Sequence, residues 1–150
     1  MLTLAGESFT IGRARFVDKI PDSAEITAKV YVRIEFPQLT PQPVWFAQID
    51  TGASWSVLDR ELAEDLGVLN GDGMLAAMST RLGLIKGRLE RLRVAFVADE
   101  GKPVEIDATF FVSREWHGRT FLGYSGFLDR LRIAIDPSSD SVFFGPLASR

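Results

Sequence analysis

The chain contains no cysteine. That single absence removes disulfides, thiolate zinc sites and cysteine nucleophiles together, and it fits a reducing compartment. Histidine is nearly absent as well, with His117 alone in a polar loop from Ser113 to Gly118. One imidazole without a second His, a Cys or clustered carboxylates does not make a metal site. No Ser stands in a Gly-x-Ser-x-Gly elbow that His117 could serve, so His117 reads as a surface residue. Basic excess is missing too: 17 Lys and Arg stand against 20 Asp and Glu, a net charge of −3. A partner held through phosphates calls for a basic surface, so nucleic acid is not expected. No apolar run approaches a membrane-spanning length, and the first residues lack the basic start and apolar run of a signal peptide. The expectation is a cytoplasmic protein with no membrane partner, no metal and no cofactor.

What is present is ordinary globular material. With 150 residues and 46% hydrophobic side chains, residues 1–150 are expected to form a single domain with a core of its own. Phe9 to Val17 reads as a strand interrupted at Gly12, and Pro21-Asp22-Ser23 as a turn. Ile26, Ala28, Val30, Val32 and Ile34 alternate with polar neighbours, which predicts a strand with one buried face. Leu92, Val94 and Phe96, and then Val104, Ile106, Ala108, Phe110 and Val112, repeat that pattern. One helix is expected, capped by Asp59, carried by Glu61 to Leu66 and stopped at Gly67. A second short helical turn is expected at Gly126 to Arg130, with strands at Leu131–Ile135 and Val142–Phe144 around a turn at Asp136–Asp140. Met74 to Arg81 looks extended, with a hairpin tip at Leu82-Gly83 before Leu84.

The stretch that carries chemistry is Ile49-Asp50-Thr51-Gly52-Ala53-Ser54. An apolar strand, Val44 to Ile49, delivers one carboxylate into an oily neighbourhood, and Trp55 to Leu58 leaves as a second one. A charge between two core strands is costly unless it is satisfied or used. Gly52 and Ala53 leave room for backbone to approach it. No second Asp-Thr-Gly or Asp-Ser-Gly occurs in the chain.

Asp50-Thr51-Gly52-Ala53-Ser54 before an apolar strand, with Phe121-Leu122-Gly123 further on, resembles the retropepsin-like aspartic proteases, in particular their stand-alone bacterial members. The resemblance spans roughly Phe46 to Phe144. It implies an all-β fold, a closed β-barrel with one or two short helices. It implies an aspartic endopeptidase acting on a peptide or protein substrate, with Asp50 catalytic and the second carboxylate supplied by Asp50 of another copy in a homodimer. By the same resemblance Thr51 locks the paired loops through its hydroxyl, the Gly52 amide helps hold the carboxylates, and Ala53 and Ser54 line the floor or brace the loop. Gly123 lets the second apolar segment pass behind Asp50. Leu82, Gly83 and Leu84 stand where that family has its flap, and terminal strands including Val142-Phe143-Phe144 stand where it makes dimer contacts. The side chain of Trp55 either narrows the cleft or packs in the core. The alternative reading is a non-cleaving peptide-binding or dimerisation module on the same fold.

Overall fold

The computed structural model describes residues 1–18 and 29–148. The expected turn at Pro21-Asp22-Ser23 and the first part of the strand expected from Ile26 lie outside the described residues. Thirteen strands follow in chain order: β1 Thr3–Leu4, β2 Glu7–Ser8, β3 Gly12–Arg15, β4 Tyr31–Glu35, β5 Val44–Ile49, β6 Ser56–Val57, β7 Met74–Thr80, β8 Gly83–Phe96, β9 Glu100–Gly101, β10 Val104–Val112, β11 Phe121–Leu122, β12 Leu131–Asp136 and β13 Ser141–Pro146. Among the described residues one α-helix, α1, covers Arg60–Asp65, and two 3₁₀ turns cover Leu128–Arg130 and Pro137–Ser139.

Six strands close a ring, β10–β6–β11–β5–β4–β8 and back to β10, with β7 attached outside it to β8. Two of the joints are parallel, β10 with β6 and β11 with β5. Strand β8 is the spine. Its first half pairs with β7 in a hairpin, and its second half pairs with β10 and β4 in the ring. The sequence breaks this strand into two apolar patches around a basic run, but the backbone is continuous. A four-stranded sheet in the order β12-β13-β3-β9 lies beside the ring.

The alternating positions do what their period predicts. Val32, Ile34, Val94, Phe96, Ala108 and Phe110 are all buried. Aromatic rings fill the middle, with Phe110 between Phe36 and Phe127, and Phe96 against Phe144 at 4.5 Å. Tyr31, on the polar side of its pattern, is buried as well, with β4 paired there to Val17 on one edge and to Gln48 of β5 on the other. Glu100-Gly101, beside Pro103, pairs with β3.

Helix α1 begins where the sequence places it: the Asp59 carboxylate accepts the Leu62 N–H at 2.8 Å. Leu62 is fully buried and Gly67 follows the last turn with φ of 71°. Strand β13, which holds Val142-Phe143-Phe144, is paired to β12 on one edge and, over Ser141–Phe144, to β3 on the other, with Val142 and Phe144 in the core.

A second set of contacts ties the sheets together through charge. Asp99 accepts the Arg15 backbone N–H at 2.8 Å and pairs with the Arg33 guanidinium. The Arg15 hydrogen bond first, and Arg33 second, hold the Asp99 carboxyl below the usual carboxylate range. A carboxylate lowered in the folded state stabilises it fully above its unfolded pKa, and that contribution fades as pH falls through the lowered value. Asp99→Asn should therefore lower Tm at neutral pH, with the gap to the parent closing from about pH 4 downward. Melting curves across that range check it; two curves that stay parallel would assign no such role to Asp99.

Candidate active site

Strand β5 ends at Ile49, and Asp50 follows at the rim of the ring, where β5 is held between β4 and β11. The Asp50 N–H donates to the Leu122 carbonyl at 2.9 Å, and the Ile49 N–H donates to the Val30 carbonyl at 2.9 Å. The chain then turns sharply. The Ala53 N–H donates to the Asp50 carbonyl at 3.1 Å, and the Gly52 N–H donates to Asp50 Oδ1, also at 3.1 Å. One carboxylate oxygen is thus fixed by the loop's own backbone, and the carboxylate faces outward.

Asp50 is half-buried, not enclosed between core strands as its apolar neighbours suggest. The turn starts at the end of β5, one residue after Ile49, which packs against the core with Ala47 and Trp45. Thr51, Gly52 and Ser54 are exposed beside it. Among the described residues the Thr51 hydroxyl has no partner within the chain.

The second apolar segment is brought directly against this loop. The Tyr124 N–H donates to the Ala53 carbonyl at 2.9 Å and the Ser125 N–H to the Ser54 carbonyl at 2.8 Å. The Gly123 N–H donates to Ser56 Oγ at 2.9 Å. The crossing is so close that a Cβ on Gly123 would stand 2.3 Å from the Trp55 carbonyl oxygen and 2.9 Å from that of Ala53. Only glycine fits there. Leu122 is fully buried beneath, and Phe121 pairs with both Gln48 and Val57. Thr120, one residue earlier, exchanges hydrogen bonds with the Asp59 backbone and carboxylate, which links the helix cap to the same segment.

The half-buried indole of Trp55 stacks on Phe111, with ring centres 6.1 Å apart and planes 14° from parallel. It serves as packing along one side of the loop. His117 is exposed, and among the described residues no group of His, Asp or Glu is arranged to hold a metal.

The residues expected at the flap lie at the tip of a hairpin, as the sequence suggests. Strands β7 and β8 form a hairpin whose two turn residues are Arg81 and Leu82, while Gly83 and Leu84 begin β8. The tip is thus one residue earlier than expected, because Gly83, with φ of 114°, still pairs with Thr80. The Thr80 hydroxyl closes the turn by accepting the Leu82 N–H and donating to the Gly83 carbonyl. Leu82 is fully exposed. Among the described residues no hydrogen bond joins this tip to the Asp50 loop.

Sequence reading missed Ser56, Tyr124 and Ser125. A Ser in a short apolar strand gives no signal that its hydroxyl is a buried acceptor, and the partners of Tyr124 and Ser125 are backbone atoms.

No protein-family model matches the chain, and no curated protein does. Among solved structures, the chain is similar to a crystal structure of a retropepsin-like aspartic protease from Rickettsia conorii. The two share 21% identity over 89% of this chain and 98% of that one, with a TM-score of 0.58. The likeness is one of fold: an all-β chain with a ring of strands and one short α-helix.

Proposed function

We propose that the chain is a single-domain, retropepsin-like aspartic endopeptidase that works as a homodimer, with Asp50 of each copy forming the catalytic pair. The observation that carries this reading is the Asp50 loop itself. One carboxylate is held by the Gly52 amide, pinned through Ala53 and Ser54 to the segment after Leu122, and left accessible at the rim of the ring.

Hydrolysis of a peptide bond without a nucleophilic side chain needs an activated water and a polarised carbonyl together. Two facing carboxylates cannot both ionise, so they share one proton. The ionised member takes a proton from water as its oxygen attacks the carbonyl carbon. The protonated member donates to the carbonyl oxygen. When the resulting diol collapses, the amine leaves with a proton from the pair. Each chain supplies one such loop, so the pair needs a two-fold axis, and an interface of that symmetry is self-complementary. The exposed Thr51 hydroxyl and the exposed Ser54 stand next to Asp50, on the side where the second loop would meet the first. The β7–β8 hairpin, with its exposed Leu82 and Leu84, would close over an extended peptide. Among the described residues no helix is long and apolar enough to cross a membrane.

The test is dilution. Specific activity on a peptide library should fall as the protein is diluted, in step with dimer dissociation followed by sedimentation. A monomer that keeps its full specific activity would overturn the shared site.

A further inference from the structure

A cavity of about 810 Å³ lies away from Asp50. It lies between the root of the β7–β8 hairpin, the loop after α1 and the end of β10, and no residue from 50 to 54 or from 121 to 123 lines it. Its face follows from strand geometry. Phe111 and Leu89 are cross-strand partners on one face, and Phe111 stacks on Trp55. Their neighbours Val112 and Arg88 point to the opposite face, and both line the cavity. The cavity therefore opens on the side of the hairpin turned away from Trp55.

Its walls are fixed. The Ser113 hydroxyl donates to the Lys86 carbonyl and Glu115 accepts the Lys86 N–H at 2.6 Å, so the β10 end is latched to β8 beyond their last paired residues. On the other side Arg88 donates to the Gly73 carbonyl at 2.9 Å, Glu90 accepts the Gly73 N–H at 2.9 Å, and Arg114 donates to Asn70. Gly87 has no room for a side chain, since a Cβ there would stand 2.3 Å from the Val112 carbonyl oxygen.

The chemistry of the lining is two-sided. Val68, Leu69, Leu75, Ala77 and Val112 supply an apolar floor, while Lys86, Arg88 and Arg114 stand against a single carboxylate, Glu115. Two of those cations spend part of their donors on the loop. The Lys86 side chain is exposed, and its ammonium makes no hydrogen bond among the described residues. In a chain of net charge −3 this is a local cationic site with an apolar bed. Pockets of a few hundred Å³ with an apolar lining and a few converging polar groups are where small molecules bind.

We propose that this cavity is a second binding site, taking an amphipathic carboxylate: an apolar body on Val68, Leu69 and Ala77, and a carboxylate on Lys86 and Arg114. The proposal does not depend on the protease reading, because it is tested by binding alone. The probe is decanoate, kept below its aggregation limit and titrated into the full chain by calorimetry, with 1-decanol as the neutral control. Decanoate should bind and decanol should bind far more weakly. The double variant Lys86→Glu/Arg114→Glu should weaken decanoate by about tenfold or more. Ala77→Trp, at an exposed position, should fill the bed and abolish binding without changing charge. Circular dichroism confirms that both variants fold. No binding of decanoate to the parent, equal binding of decanol, or undiminished binding by Ala77→Trp would each overturn the site.

Discussion

Replacing Asp50 by Asn is expected to reduce peptide cleavage at least about 10³-fold, the scale of a lost general acid–base group, while fold and dimer persist. The geometry explains why the fold survives. Asp50 Oδ1 accepts the Gly52 N–H at 3.1 Å, and an amide oxygen accepts the same bond. What would disappear, on the proposed reading, is the group that shares and moves a proton. The dimer should hold as firmly or more so, because two facing carboxylates no longer contend for one proton. Cleavage, Tm and dimer constant, measured side by side, separate the readings. A structural acid predicts altered stability with cleavage retained, and a binding module predicts peptide affinity without cleavage even in the parent. Full cleavage by the variant would end the protease reading.

The second large effect is expected at Gly123. Gly123→Ala puts a methyl group 2.3 Å from the Trp55 carbonyl oxygen, a backbone atom that cannot swing aside. Forced overpacking of this kind costs about 1–3 kcal/mol, or roughly 3–10 °C in Tm for a chain of this size. The damage should not stop at stability. The displaced segment carries the Leu122 carbonyl that holds the Asp50 N–H and the Tyr124 and Ser125 amides that hold Ala53 and Ser54. Cleavage should fall along with Tm, and it should stay low at temperatures where the variant is folded. An unchanged Tm would mean that the two segments do not cross so closely.

Much of this was legible in the residues because it depended on neighbours in the chain. The period of two over Val32 and Ile34, and the Asp59 cap three residues before Leu62, are local patterns with local causes. The Asp50 loop was legible for the same reason. What escaped was set by distant partners. Ser56 looks like a polar interruption until Gly123 arrives beside it. Tyr31 belongs to a polar face by count and is nonetheless buried. The tip at Arg81-Leu82 was displaced by one residue because Gly83 has the backbone freedom to pair as well as to turn. Strand β13 reads as one more apolar strand, and nothing local to it announces that β3, far off in the chain, pairs with it.

The ring's two parallel joints have a consequence for the order of events in the life of a single chain. Asp50 is complete as a sequence long before it is complete as a site. Its amide partner is on Leu122, and the braces of Ala53 and Ser54 are on Tyr124 and Ser125. Pairings between segments so far apart form late, after loop closure has been overcome. During synthesis the loop therefore emerges from the ribosome without its supports, and it acquires them only when the last third of the chain has followed. Until then the carboxylate is tethered but unaimed. A nascent or prematurely terminated chain lacking residues 121–125 would carry the whole Asp-Thr-Gly signature without the backbone partners that hold its loop.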